Sequence, residues 1–137
     1  MHIDSIQNGI VIDHLKAGSA MRLYELLKLN SLSVPVAMIM NVDSNARGKK
    51  DILKIDGEID INLDVVGYVD PGATVNYIRN KEIIDKKHPE LPTTLTNVLK
   101  CKNPRCISMT EQELPQIFDL TDKDEKTYRC RYCEVKA

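Results

Sequence analysis

The sequence predicts an α+β protein: a small domain with helices on one face of a largely antiparallel sheet, then a cysteine-rich segment that folds separately. Three observations carry this prediction. Residues 1–90 alternate short β-branched runs with one clear helical pattern, a charged stretch with two prolines occupies 86–92, and all four cysteines lie beyond it. The predicted order of elements in the first part is β-(β)-α-β-β-(α?)-β-β.

The N-terminal elements are a hairpin or bent strand and then a helix. Asn8-Gly9 separates the apolar runs Ile3–Gln7 and Ile10–Ile12, and this dipeptide supplies the positive φ angles of a type I′ turn. Ser19 is a favourable N-cap, and apolar residues then recur at helical spacing from Ala20 to about Leu29. We therefore expect two short strand segments that lead directly into a helix.

Further strands are predicted after the helix. Residues 34–42 are dense in β-branched and apolar residues. Residues 49–55 predict a second strand, with Lys50, Ile52 and Lys54 on one face and Leu53 and Ile55 on the other. The runs 73–78 and 82–84 predict the last two strands of the domain. Between these pairs, residues 58–69 fit both the alternation of a strand and the spacing of a short helix, and periodicity leaves that choice open.

The four cysteines form two close pairs, C-x4-C at Cys101 and Cys106 and C-x2-C at Cys130 and Cys133. This is the spacing of metal ligands, because each short turn points two sulfurs at one place and two turns close a tetrahedral site for zinc or iron. Four thiolates leave no open coordination position, so the site is structural. We expect one structural Zn²⁺ ion per chain, which would stabilise a segment too short to build an adequate core alone.

Charge and targeting signals exclude several classes of protein. Residues 96–137 carry 8 Lys/Arg and 7 Asp/Glu, so four thiolates around a divalent ion leave this part slightly negative. A zinc ribbon that binds nucleic acid, the alternative function, needs a basic face. No secretory signal and no apolar run of membrane-spanning length are present, and we expect a cytoplasmic protein that binds neither membranes nor nucleic acid.

A second candidate site lies in the first part of the chain. Asp13 and His14 follow an apolar strand directly. Lys50 and Lys54 should project from one face of the predicted strand 49–55. Lysine is a flexible point charge that suits phosphate, and Lys86 is a further candidate. The alternatives are a polar pair at a sheet end and solvated lysines that protect an edge, and these residues alone do not decide between the two interpretations.

Five segments in order resemble the regulatory chains of aspartate carbamoyltransferase: Gly9–His14, Gly48–Ile55, Pro71–Ile78, Leu95–Ser108 and Tyr128–Cys133. The resemblance implies a non-catalytic subunit. It implies a ferredoxin-like α/β sandwich over residues 1–92 that binds nucleotide effectors. It also implies a small β-rich, rubredoxin-like zinc domain over residues 93–137 that docks on the catalytic chain.

The resemblance further implies an assembly and a role in pyrimidine biosynthesis. Homodimers of regulatory chains would join catalytic trimers into a dodecamer of six catalytic and six regulatory chains. CTP, together with UTP, would inhibit the assembly and ATP would activate it. His14 and Lys86 would then hold phosphate oxygens, and Asp13 and Lys54 would contact ribose and base.

The remaining residues that the resemblance assigns to the nucleotide pocket share a place on its wall or beside its phosphates. They are Asn76, Ile78, Ile3, Asp4, Ile6, Val11, Lys49 and Lys50. The metal ligands that the resemblance implies are the same four cysteines that their spacing predicts.

Overall fold

A computed structural model of the chain describes residues 6–45 and 48–137. Two compact units are present, Met1–Leu91 and Pro92–Ala137. Within the described residues, no helix is long and apolar enough to cross a membrane. Each unit has its own antiparallel sheet.

The first unit is a five-stranded antiparallel sheet with two helices. Its elements are β1 Gly9–Lys16, α1 Ala20–Leu26, a 3₁₀ turn Leu29–Ser31, β2 Val36–Ser44, β3 Gly48–Ile55, α2 Leu63–Val69, β4 Thr74–Arg79 and β5 Glu82–Lys87. The strand order is β2-β3-β1-β4-β5, and every pairing is antiparallel. The succession β1-α1-β2-β3-α2-β4 in this order is the ferredoxin-like split βαβ topology, with β5 added at one edge. The predicted α+β class is confirmed.

The core of this unit lies on one face of the sheet. Alternate residues of the central strands are buried there, as the two-residue period of a strand requires. Helices α1 and α2 each contribute fully buried side chains, Leu23 and Val66. The sheet residues with at most 2% exposure in this core are Ile10, Ile12, Leu15, Leu53, Ile55 and Val75. The opposite face of the same strands lies outside this core.

The predicted turn at Asn8-Gly9 is wrong. Strand β1 begins at Gly9, and neither residue of the dipeptide has a left-handed φ. Glycine is required there for a different reason, because a Cβ at Gly9 would overlap the carbonyl oxygen of Ile55 on the paired strand. The predicted run Ile3–Gln7 lies mostly outside the described residues, and its described part, Ile6–Gln7, is not a strand.

The helical region also differs in detail from its prediction. Helix α1 ends at Leu26, because Lys28 adopts a left-handed conformation with φ of 55°. Ser19 is the N-cap residue, but its hydroxyl bonds the carbonyl of Lys16 and caps no helix N–H. The ambiguous stretch 58–69 contains a helix, α2, whose first turn is capped by the side chain of Asn62.

The predicted linker at 86–92 begins too early. Strand β5 continues through Lys87, so Lys86 and Lys87 belong to the sheet. Every residue of β5 is exposed. On an edge strand both faces and one row of backbone groups meet water, so lysines are favoured there and do not indicate a loop.

The second unit is a three-stranded sheet with one short helix. Its elements are β6 Thr94–Thr96, α3 Ile107–Thr110, β7 Ile117–Asp122 and β8 Thr127–Cys130, with strand order β6-β7-β8. Leu95, Phe118 and Tyr128 are buried, together with three of the cysteines. Few large side chains form this core, as expected of a domain that depends on a metal ion.

We expect the turn between β4 and β5 to accept glycine with a gain in stability. Asn80 and Lys81 connect the strands with φ of 53° and 66°, the type I′ geometry in which Asn-Gly is preferred. A left-handed lysine costs roughly 1–2 kcal/mol that glycine avoids. Lys81→Gly should therefore raise the free energy of unfolding by about 1 kcal/mol, measured by urea denaturation. Lys81→Ala, which keeps the Cβ, is the control and should give no gain; an equal gain would contradict this explanation.

Candidate functional site

Strand register brings four predicted site residues into one row across the sheet. Val11 on β1 pairs with Lys54 on β3 and with Asn76 on β4, and Asn76 in turn pairs with Lys86 on β5. Residues in register share a face, so the row lies on the face opposite the buried Ile10 and Ile12. Residues from four strands that are distant in sequence therefore converge on one surface.

A second row neighbours the first and contains an ion pair. Asp13 lies two residues beyond Val11 on the same face, and its carboxylate is 3.0 Å from the ammonium of Lys50. The side chains are only 23% and 17% exposed, so water screens this pair weakly. Burial raises the pKa of Asp13, but the hydrogen bond from Lys50 and the one from the backbone N–H of His14 outweigh it and hold that pKa below its ordinary value.

His14 occupies a special backbone position beside this pair. Its φ is 58°, and the register of β1 with β3 shifts between Ile12 and Leu15. A bulge of this kind bends a strand and changes the direction of a side chain, and bulges are frequent next to functional sites. The His14 backbone N–H donates to the carboxylate of Asp13 at 2.6 Å, which fixes the local conformation of the two predicted residues.

Asn76 has an unusual environment. The residue is 8% exposed, and its side-chain oxygen has no hydrogen-bond partner among the described residues. Leaving a buried acceptor unpaired costs roughly 1–3 kcal/mol, so such a group suits a site in which a ligand supplies the donor. Its neighbours in the row are Val11 and Lys86.

Two of the remaining predicted pocket residues, Ile78 and Ile6, lie near these rows. Ile78 pairs with Gly9 and follows Asn76 on the same face of β4, and Ile6 is buried just before β1. Lys49 is exposed and forms an ion pair with Asp43. Ile3 and Asp4 lie outside the described residues.

The sequence interpretation missed Asp51, a fully buried aspartate on β3. The signal was its position two and four residues before the predicted core-facing residues Leu53 and Ile55. Asp51 has the same parity as Leu53 and Ile55, so the pattern that puts those two residues in the core puts an acidic side chain there as well. A buried carboxylate requires hydrogen-bond partners, and three backbone N–H groups supply them.

In the second unit the four cysteines converge. The four Sγ atoms all lie within 4.8 Å of one another, and no disulfide is formed. The Sγ atoms of Cys101 and Cys133 are 3.5 Å apart, and those of Cys106 and Cys130 are 3.7 Å apart. Metal–sulfur bonds of about 2.3 Å in a tetrahedron require sulfur separations of about 3.8 Å, so the cluster fits such an ion.

Two polar residues that the sequence interpretation did not single out form hydrogen bonds with cysteines of the cluster. The Ser108 hydroxyl lies 3.0 Å from the sulfur of Cys106, and the side-chain carbonyl of Gln116 accepts from the backbone N–H of Cys101 at 3.0 Å. The Gln116 amide also donates to the carbonyl of Ser108 at 2.9 Å, so it joins both ends of the first cysteine turn.

The thiols of the cluster differ in acidity before any ion is considered. Burial raises the pKa of Cys101 to about 12. The hydrogen bond from Ser108 lowers the pKa of Cys106 to about 7. Metal binding requires thiolates and releases protons, so the buried Cys101 needs the charge of a metal ion to ionise.

These features define a two-domain binding protein with a basic sheet face in one unit and a cluster of four cysteines that fits a metal ion in the other. Two family models match in succession, described as aspartate carbamoyltransferase regulatory chain, allosteric domain, over residues 1–90 and metal binding domain over residues 93–137. The chain belongs to the family of aspartate carbamoyltransferase regulatory chains. It is therefore a non-catalytic subunit, and the resemblance seen in the sequence is confirmed.

Curated relatives agree along the whole length. The regulatory chain of Bifidobacterium longum is 44% identical over 137 residues, which are 100% of this chain and 99% of that protein. The regulatory chain of Clostridium botulinum is 46% identical over 132 residues, covering 96% of this chain and 90% of that protein. That of Clostridium tetani is 46% identical over 133 residues, with coverage of 96% and 92%.

Removal of the metal should unfold the second unit selectively. Structural metal binding in small domains contributes on the order of 10 kcal/mol, more than this core can replace. With a strong chelator, we expect amide NMR signals of residues 92–137 to collapse to unfolded positions while those of β1 to β5 persist. Persistence of the native signals of β7 and β8 without metal would contradict this expectation.

Two substitutions test the cluster at finer resolution. Cys106→Ala should abolish stoichiometric metal binding, because one thiolate of the tetrahedral set is lost. Ser108→Ala keeps all four ligands and removes only the hydrogen bond to Cys106, so it should bind metal at full stoichiometry but about 10–100-fold more weakly. Competition with a chromophoric chelator measures both, and equal affinity of wild type and Ser108→Ala would exclude a role for the hydroxyl.

Proposed function

We propose that this chain is a zinc-containing allosteric subunit that binds nucleoside triphosphates and links catalytic trimers of aspartate carbamoyltransferase in pyrimidine biosynthesis. The observation that carries the nucleotide site is the convergence of Lys54, Asn76 and Lys86 in one cross-strand row. The ion pair of Asp13 and Lys50 lies beside that row.

The chemistry of this face suits a triphosphate. Lys50, Lys86 and His14 offer cationic or hydrogen-bonding groups to phosphate oxygens, and lysine binds phosphate as a mobile point charge. The ion pair of Lys50 with Asp13 keeps that lysine oriented in the absence of a ligand. Phosphate competes for the lysine ammonium, so nucleotide binding would weaken the Asp13 contact and leave its carboxylate for a ribose hydroxyl.

Base recognition is assigned to Lys54, at the end of the row opposite Lys86, and to Asp13 beside the row. Lys54 and Asp13 would contact ribose and base, with Val11, Ile6 and Ile78 as apolar wall. The orphan oxygen of Asn76 would accept from the nucleotide, a bond that repays the cost of its burial. CTP, UTP and ATP share the phosphate contacts and differ at the base, so inhibition and activation would arise from the size and polarity of one end of the ligand.

Zinc is the proposed ion in the cysteine cluster, with one structural ion per chain. Tetrahedral thiolate sites select zinc or iron, and a redox-inactive ion suits a site whose four ligands leave no open position. Its role would be to hold rigid a docking module for the catalytic chain. Ile107 and Met109 are 54% and 40% exposed beside the cluster and supply apolar surface for that contact.

The assembly would consist of regulatory homodimers that join catalytic trimers into a dodecamer of six catalytic and six regulatory chains. Allosteric control requires two states of this assembly and nucleotides that bind those states unequally. A coupling of about 1–3 kcal/mol is usual in such systems. The cytoplasmic location expected from the sequence stays a prediction.

The nucleotide site is tested by neutralising one lysine and comparing it with its neighbour. Lys86→Ala removes a cation from the proposed site, so CTP and ATP should each bind about tenfold more weakly or worse, because charge-assisted bonds contribute roughly 1.5–3 kcal/mol. Lys87→Ala is the matched control, because Lys87 is the next residue of β5 and faces the other side, near the Tyr77 ring. Calorimetric titration of each variant measures the affinities, and equal losses for both would reject the assignment.

Assembly is tested separately with zinc-loaded chains and catalytic trimers. Wild type and His14→Ala should both form the complex of six and six chains, because His14 belongs to the first unit and makes no metal bond. Cys106→Ala should fail to assemble. Native mass spectrometry reports the stoichiometry and the bound zinc together. Failure of zinc-loaded wild type to associate with trimers would refute the proposed linking role.

A further inference from the structure

Asp51 is a buried carboxylate that the nucleotide site does not use. The residue is 0% exposed and lies on β3 between Lys50, which contacts Asp13, and Ile52. Its side chain points into the core, away from the proposed ligand. An acidic group in such a place is costly unless it is hydrogen-bonded, so the bonds it makes define what it does.

The two oxygens of Asp51 bind two different parts of the chain. Oδ2 accepts from the backbone N–H groups of Gly18 and Ala20 at 2.9 and 3.2 Å. Oδ1 accepts from the backbone N–H of Asn41 at 3.1 Å. The carboxylate is planar and rigid, so it bridges the loop after β1 to the middle of β2.

The first of these parts is continuous with the proposed nucleotide site. The loop at Gly18 follows the β1 bulge that carries His14, and Leu15 is in register with Asp51 itself. Gly18 has φ of 92°, and its N–H bond to Asp51 helps to fix the start of α1. A ligand that pulls on Asp13 or His14 therefore acts on a segment that Asp51 holds a few residues later.

The second part is an irregular position in the edge strand of the sheet. Asn41 has φ of 62°, and the pairing of β2 with β3 shifts between Ile39 and Val42. Its N–H leaves the ordinary ladder and bonds Asp51 instead. Strand β2 has β3 on one side and no strand on the other within the described sheet, so its outer backbone groups are available to another chain.

We infer that Asp51 is a positioning residue that couples occupancy of the nucleotide site to the conformation of edge strand β2. The inference rests on the proposed function, because it needs a ligand at Asp13 and His14. Nucleotide binding restrains the loop at Gly18 and the start of α1 at Ala20, the shared carboxylate passes the restraint to Asn41, and the irregular segment of β2 becomes more ordered. A carboxylate is needed because an amide has only one acceptor oxygen and cannot serve both parts.

The coupling is measured by NMR-detected hydrogen exchange on the full-length, zinc-loaded chain, with CTP and ATP as probes. In wild type, saturating nucleotide should slow exchange at Gly18, Ala20 and Asn41 together, by about fivefold or more, the lower end of usual allosteric coupling. Ser44, at the end of the same strand, is the internal control and should change less.

Asp51→Asn separates coupling from binding. Its single oxygen can satisfy either the loop or Asn41, so nucleotide should slow exchange on one side only. Leu53→Val is the matched control, because Leu53 is 0% exposed on the same face of β3. That variant lowers stability without removing an acceptor, and it should keep the concerted response of the three amides.

Each outcome has a defined meaning. The inference is overturned if wild type binds nucleotide with no change at Asn41, or if Asp51→Asn keeps the concerted response. The inference is also overturned if Leu53→Val loses the concerted response, because the loss would then follow from lower stability and not from the missing acceptor. If Asp51→Asn does not fold, the wild-type measurement decides alone. If wild type binds neither CTP nor ATP, the proposed nucleotide site is itself wrong, and titration shows this before any exchange is measured.

Discussion

Strand β1 is hydrogen-bonded on both sides, to β3 and to β4, and the rest of the first unit depends on that double pairing. It requires Gly9 at the start, where the backbone of Ile55 approaches too closely for any side chain. It buries Ile10 and Ile12 on one face and leaves Val11 and Asp13 on the other. One set of backbone bonds thus builds the core and the proposed binding face at the same time, and a slip of one residue would exchange them.

The second unit cannot depend on apolar burial in the same way, because it has too few apolar side chains to form an adequate core. Four sulfurs from two turns converge between β8 and the chain around α3. Gln116 accepts from the backbone N–H of Cys101, and the Ser108 hydroxyl contacts the sulfur of Cys106. Charge repulsion among thiolates opposes this arrangement unless a cation compensates it. We therefore expect folding and metal binding to be coupled in this unit, whereas the first unit is held by apolar burial.

Sequence reasoning succeeded where a local period carried the information. The two-residue period of a strand predicted that Lys50 and Lys54 share a face, and the two cysteine spacings predicted the cluster. It failed at the Asn8-Gly9 turn, because the sequence does not distinguish a glycine required by the close approach of another strand from a glycine required by a positive φ in a turn. It placed Lys86 in a linker for a similar reason, since charge on an exposed edge strand resembles charge in a loop.

The α+β class and the convergence of the four cysteines could be predicted from the sequence, because they follow from short spacings and from a resemblance along the whole chain. The residues of the nucleotide site stay predictions. The common row of Val11, Lys54, Asn76 and Lys86 could not be predicted, since register between distant strands is set by packing. The tertiary structure also decided the helix at Leu63–Val69 and the bridging bonds of Asp51. These depend on which surfaces meet, and no local pattern encodes the meeting of segments far apart in the chain.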